Sequence, residues 1–272
     1  MIQKRFHFIS GLPRSGSTLL SAILNQNPRF HAGVTSPVWS LVSAALPKMG
    51  GSSEFASFFD TDRRRAILRG LFESYYSDRQ EAVILDTNRT WTSRLPLLMD
   101  LYPEMRCICL VRSIPEILES FDRIIRRNPL QVPRGTGVGA GQTIYSRVET
   151  MMNSESGVVG LAWSSLRDAW FGDHASRLIV ISYSRLTSDP AGTMKGLYDA
   201  LGEMPFVHDF DHIAYAQDEY DVSLGMPGLH TIRPKVSAKS HAPTLPPDLI
   251  GRYAEANFWD RHRTTGAGPV VI

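Results

Sequence analysis

The stretch FHFISGLPRSGSTLLSAIL, residues 6–24, decides the fold. Its first five residues are mainly apolar and read as a strand buried on both faces. Gly11 to Gly16 then form a glycine-bearing turn, and a helix is expected from 18 to 24. A strand feeding a helix through such a turn is built to hold an anion. Backbone N–H groups point inward, and the helix dipole adds positive potential. Gly16 lets the backbone approach a phosphate closely. Ser15, Ser17 and Thr18 offer hydroxyls, Leu19 continues the helix, and Arg14 offers a planar fork of donors.

The rest of the chain repeats the alternation. Short apolar runs at 82–85, 106–111 and 178–182 are expected strands. Helical patterns are expected at 62–76, 114–126, 146–170 and 191–201. Alternating strands and helices imply an α/β fold: a P-loop-like three-layer sandwich with a central parallel sheet flanked by helices. One domain over 1–263 is expected, with a flexible tail at 264–272. The glycine-rich 133–142 reads as a linker or a lid. The basic, proline-rich 229–247 reads as irregular chain lying over something, a site being one candidate.

Composition narrows the function. With 29 basic and 27 acidic side chains the net charge is +2, too balanced for general nucleic-acid binding. Anion binding must come from placed residues. Cys107 and Cys109, in MRCICLVR, are expected to be buried and unpaired, on opposite faces of a strand. That fits a reducing compartment. With no signal-like start and no apolar run near 18 residues, a cytoplasmic protein without a membrane span is expected. The eight histidines show no HxxxH or HExxH spacing, so no metal is expected.

Set against G-x-x-x-x-G-K-[ST], the turn matches at Gly11, Gly16 and Thr18, but Ser17 holds the lysine position. That argues against ATP or GTP chemistry. The turn resembles instead the 5′-phosphosulfate loop of sulfotransferases that use PAPS (3′-phosphoadenosine-5′-phosphosulfate). It is most similar to the PRSGTTL form of tyrosylprotein and related Golgi and bacterial enzymes. The resemblance implies that residues 14–19 hold the 5′-phosphosulfate. It implies that Arg112 and Ser120, an Arg-x7-Ser pair running from a strand end into a helix, bind the 3′-phosphate.

A later match, VISYSRLTSDPAGTMKGLYDALG (180–202), extends the resemblance and brings in Tyr183. Lys235, with Arg233, sits where relatives carry a basic loop over the nucleotide. Arg123, Arg126 and Arg127 either reinforce the site or form a solvated face. The implied activity is transfer of a sulfuryl group to an acceptor hydroxyl, with PAP released. A peptide tyrosine is favoured, and a carbohydrate, lipid or small phenol stays open.

The general base of relatives does not carry over. Thr35, beside Ser36, stands where the tyrosylprotein enzymes have a glutamate, and Arg94 stands where cytosolic enzymes have a histidine. Asp86, at the end of a strand in ILDTNRTW, is the candidate base. Arg89 is the candidate sulfuryl contact, and His31 is a second base. Trp39, Trp91 and Tyr145 line an acceptor pocket or pack in the core. The rival readings are a P-loop kinase or NTPase, with Asp86 beside a magnesium ion, and a non-catalytic nucleotide-binding module.

Overall fold

Parity along the strands builds the molecule in three layers. The structure, a computed structural model, describes residues 4–128, 130, 134, 136–139, 141–215, 218–238, 242–260 and 268–272. Its strands are β1 (Arg5–Gly11), β2 (Phe30–Ala32), β3 (Val83–Thr87), β4 (Cys107–Val111), β5 (Leu178–Ser182) and β6 (Val270–Val271). They form one parallel sheet in the order β2-β3-β1-β4-β5-β6. Its helices are α1 (Ser17–Leu24), α2 (Val38–Lys48), α3 (Thr61–Tyr75), α4 (Leu95–Leu101), α5 (Ile114–Arg127), α6 (Ile144–Met152), α7 (Gly160–Phe171), α8 (Tyr183–Ser188), α9 (Pro190–Leu201), α10 (Asp218–Ser223) and α11 (Pro247–Ala254).

Successive side chains on a strand point to opposite faces. Phe8, Cys107, Cys109, Leu178 and Val180 therefore enter one core, with Phe72 of α3 and Leu118 of α5. Ile9, Ile108, Leu110, Ile179 and Ile181 enter the other, with Leu20 of α1 and Leu197 of α9. Both faces of the central strands are covered, which explains their continuous apolar runs.

Three expectations need correction. Cys107 and Cys109 share a face, as residues two apart on a strand must, with free thiols 3.8 Å apart. The helix expected over 146–170 is two helices. Asn153 Oδ1 accepts from the N–H groups of Glu155 and Ser156 in the break. Gly157 and Gly160 then bring the backbones together: a Cβ would lie 2.4 Å from Met151 O at the first and 2.2 Å from Met152 O at the second. Helical periodicity survives such a break, because both halves bury apolar faces. Finally, the end of the expected tail is a strand: Val270 and Val271 pair with Ile179 and Val180. The ladder bond of Ile272 N–H to Val180 O fixes it. Residues 264–267 of that tail lie outside the described residues, as does part of the glycine-rich 133–142.

Candidate active site at the carboxyl edge of the sheet

The turn after β1 is shaped by three residues in the left-handed region. Gly11 has φ +102°, and a Cβ there would sit 2.4 Å from Leu110 O on the neighbouring strand. Gly16 has φ +96° and caps α1, and a Cβ there would meet the Tyr183 ring at 2.9 Å. Arg14 has φ +59°, unusual for a residue with a side chain. Backbone strain of this kind marks a segment held by its surroundings for a function.

Arg14 is held from three sides. Its Nε donates to the Ser120 hydroxyl on α5 at 3.1 Å. One terminal nitrogen donates to the carbonyl of Leu229. Its own carbonyl accepts from Arg112 at 3.3 Å. Arg112 is fixed in turn by Glu116 at 2.7 Å and lies over the Tyr183 ring, 4.3 Å from its centre. Burial, reinforced by the neighbouring Arg112, pulls the Arg14 guanidinium down to about 10. It remains charged at neutral pH, and an anion there relieves the repulsion between the two arginines.

These groups open into a cavity of about 500 Å³, within the usual range for one small-molecule site. Gly16, Ser17, Thr18, Leu19, Arg112, Ser120, Tyr183, Arg89, Arg233 and Lys235 all line it with Arg14. The basic segment at 229–237 does lie over it. Seven arginines and Lys235 line this cavity, and no carboxylate does among the described residues. On a chain with net charge +2 that is a strongly local positive field. Lys235 is shared with Asp211 at 2.7 Å on the exposed rim.

Other candidates fall outside it. Ser15 is fully buried, and its hydroxyl turns back towards Pro13 O at 3.4 Å, so the turn offers Ser17 and Thr18 instead. Asp86 does not reach the cavity. Strand parity puts it with Ile84 on the face of the α3 core, where it is fully buried. Its carboxylate accepts from Ser36 Oγ at 2.5 Å, Tyr76 Oη at 2.8 Å and Trp91 Nε1 at 2.8 Å. Burial pushes its carboxyl up, and the three donors oppose that shift. The geometry thus corrects Asp86 from base to the hub of a buried network. His31 packs against Tyr76 and lies 4.0 Å from Glu81, also outside the cavity lining. Trp91 is core, Trp39 packs on it, and Tyr145 bonds Asp248.

A histidine that the motifs did not single out does line the cavity. His230 lines the cavity next to Leu229, whose carbonyl holds Arg14. Its Nδ1 meets Asp221 Oδ1 at 2.5 Å, and its backbone N–H donates to Asp221 Oδ2 at 2.8 Å. Tyr220 stacks on the ring. Asp221 is buried, so it fixes the tautomer with Nδ1 protonated and leaves Nε2 as the basic nitrogen. Burial lowers the ring's pKa, Asp221 raises it, and Arg14 and Arg89 lower it. An imidazole held neutral beside two arginines has the properties of a general base. No local pattern signals it, since the pair is nine positions apart, from α10 to the chain after it, rather than at helical spacing.

A family model described as "Sulfotransferase family" matches residues 7–206. No curated protein matches the chain. Among solved structures, the sulfotransferase domain from the curacin biosynthetic pathway is 19% identical, with a TM-score of 0.51 over 75% of each chain. The sulfotransferase domain from the Synechococcus PCC 7002 olefin synthase is 18% identical, with a TM-score of 0.51 over 97% of this chain and 98% of that one. A sulfotransferase from Alicyclobacillus acidocaldarius is 16% identical, with a TM-score of 0.51 over 82% and 90%. At these identities the likeness is one of fold.

Proposed function

Because this chain belongs to the sulfotransferase family, we propose that it transfers the sulfuryl group of PAPS to an acceptor hydroxyl, with His230 as the general base. The observation that carries the reading is the convergence of Arg14, Arg112 and Ser120 on one cavity whose described lining has no carboxylate. In this reading the turn and α1 hold the 5′-phosphosulfate, and Arg112 with Ser120 holds the 3′-phosphate. Tyr183 keeps Arg112 in place through its ring. Arg233 and Lys235 flank the nucleotide.

In-line transfer asks the protein mainly for alignment and for charge placed where it develops. Arg14 and Arg89 face the leaving phosphate and the equatorial sulfuryl oxygens. His230 Nε2 takes the hydroxyl proton as the acceptor oxygen bonds to sulfur. The sulfur–oxygen bond to the 5′-phosphate breaks, and its electron pair leaves with PAP. The resemblance of the turn to the tyrosylprotein enzymes supports a peptide tyrosine as acceptor.

Calorimetric titration with PAP, against ATP with magnesium, tests the donor. Binding of PAP alone supports the reading. Binding of ATP without PAP returns the site to a kinase or NTPase.

A further inference from the structure

The cavity continues past the phosphate groups along α5. Ser120, Ile124 and Arg127 are spaced at four and three residues, so they share one face of the helix. Seven residues advance roughly 10 Å along the axis. Arg127 therefore stands about two turns beyond the serine that holds Arg14. The wall between is largely apolar: Ile124, Val158, Leu224 and Met226 all line it. Arg134 closes this end, its backbone N–H tied to Leu224 O at 2.8 Å.

The charges do not balance at this end. The nearby acids of α5 are occupied: Glu119 holds the backbone N–H of Thr244 and lies 3.8 Å from Arg123, while Asp122 pairs with Arg126 and Arg147. Neither Arg127 nor Arg134 has a carboxylate partner among the described residues. A phosphomonoester, a phosphodiester and a sulfate together carry roughly four negative charges. Arg14, Arg89, Arg112 and Arg233 are the cations assigned to them, with Arg112 shared with Glu116. Of the remaining three, Arg123 lies 3.8 Å from Glu119, which leaves Arg127 and Arg134, both exposed to solvent and without a donor charge to meet in this assignment.

We propose that this end is the acceptor subsite, and that the acceptor is a small hydroxy acid. Its carboxylate meets Arg127 and Arg134, its apolar body lies along Ile124, Val158, Leu224 and Met226, and its hydroxyl reaches His230. The inference rests on the donor assignment above. It favours a small acid over a peptide tyrosine that has no acidic neighbour, because a main-chain amide offers these arginines no charge. The acceptor oxygen forms its bond to sulfur, the bond from sulfur to the 5′-phosphate oxygen breaks, and the proton goes to His230 Nε2.

The test uses the full chain saturated with PAP and titrated with 8-hydroxyoctanoate or with 1,8-octanediol. The two share a length of about 10 Å, matched to the helix spacing. The acid is expected to bind at least about tenfold tighter than the diol. Arg127→Gln and Arg134→Gln should each remove that preference while PAP affinity stays within about twofold. Equal binding of acid and diol, or binding of neither, overturns the proposal. A tenfold loss of PAP affinity in Arg127→Gln also overturns it, by giving this end to the donor, and leaves the donor assignment standing. Failure of the unaltered chain to bind PAP overturns both.

Discussion

Arg14, in the turn after β1, and Ser120, in the middle of α5, are joined by a 3.1 Å hydrogen bond from Nε to Oγ. In the proposed reading, the bond couples the group that holds the 5′-phosphosulfate to a group that holds the 3′-phosphate. If the donor binds as proposed, both side chains gain an anion to hold, so each is worth more in that complex than in the free protein.

Arg14→Ala and Arg112→Ala should each weaken PAP binding by an order of magnitude or more, since each removes a charge-assisted contact in a buried site. Calorimetry reads it. Near-unaltered affinity in both variants would remove the donor site from this cavity.

His230→Gln should cut turnover by about 10²-fold or more while sparing PAP affinity, the range for loss of a positioned base. The pH profile separates catalysis from structure. A base with a lowered pKa is active above that value and fails as pH falls through it. The acid limb should therefore lie below 6.5 and vanish in His230→Gln. Asp221→Asn removes the partner that raises the ring's pKa, so its limb should move to still lower pH, with reduced turnover. An acid limb unmoved in both variants would exclude this pair.

Asp86→Asn tests the opposite of a catalytic role. Its carboxylate accepts three hydrogen bonds in the core, from Ser36, Tyr76 and Trp91. An amide replaces one accepting oxygen by an NH2, so the Ser36 and Tyr76 hydroxyls must turn to accept and the charge-assisted bonds are lost, which costs about 1–3 kcal/mol of stability. Denaturant unfolding should show this loss, and the folded variant should keep most of its turnover. Unchanged stability with abolished turnover would restore Asp86 as the base.

His7 makes stability depend on pH. It is buried, its Nδ1 accepts the N–H of Arg106 at 3.1 Å, and burial with Arg5 and Arg106 lowers its pKa to about 4. In the unfolded chain it titrates near 6.5. Between these values the unfolded chain binds a proton that the folded one refuses. Stability is whole above 6.5 and falls as the pH drops towards 4, by an amount on the order of 3 kcal/mol. Unfolding curves from pH 7 to 4 should show the slope, reduced in His7→Asn. An equal slope in both proteins would exclude His7 as its source.

The strands at β1, β3, β4 and β5 were legible because a strand buried on both faces must be apolar throughout. The turn at 11–16 was legible because positive φ and close approach to neighbouring atoms demand glycine at 11 and 16. Arg112 and Ser120 were legible as neighbours because one directly follows the end of β4 and the other lies on α5, so the short span between them leaves little freedom. The broken helix at 153–159 was not, since periodicity is blind to a kink that leaves both halves amphipathic. Strand β6 was not either, because two exposed valines carry no period.

The sequence by itself determined the parallel α/β core, the glycine-bearing turn from β1 into α1 and the nearness of Arg112 to Ser120, since each follows from local backbone geometry. Tertiary structure alone decided which histidine stands at the cavity and which acid holds it. Asp86 lies three residues from a cavity-lining arginine, yet strand parity turns it into the opposite core. His230 lies 216 residues from Arg14, and a loop closed on Asp221 carries it to the same cavity. Motif spacing reports direction only along a regular element, and the contacts that place a loop residue are made by the fold.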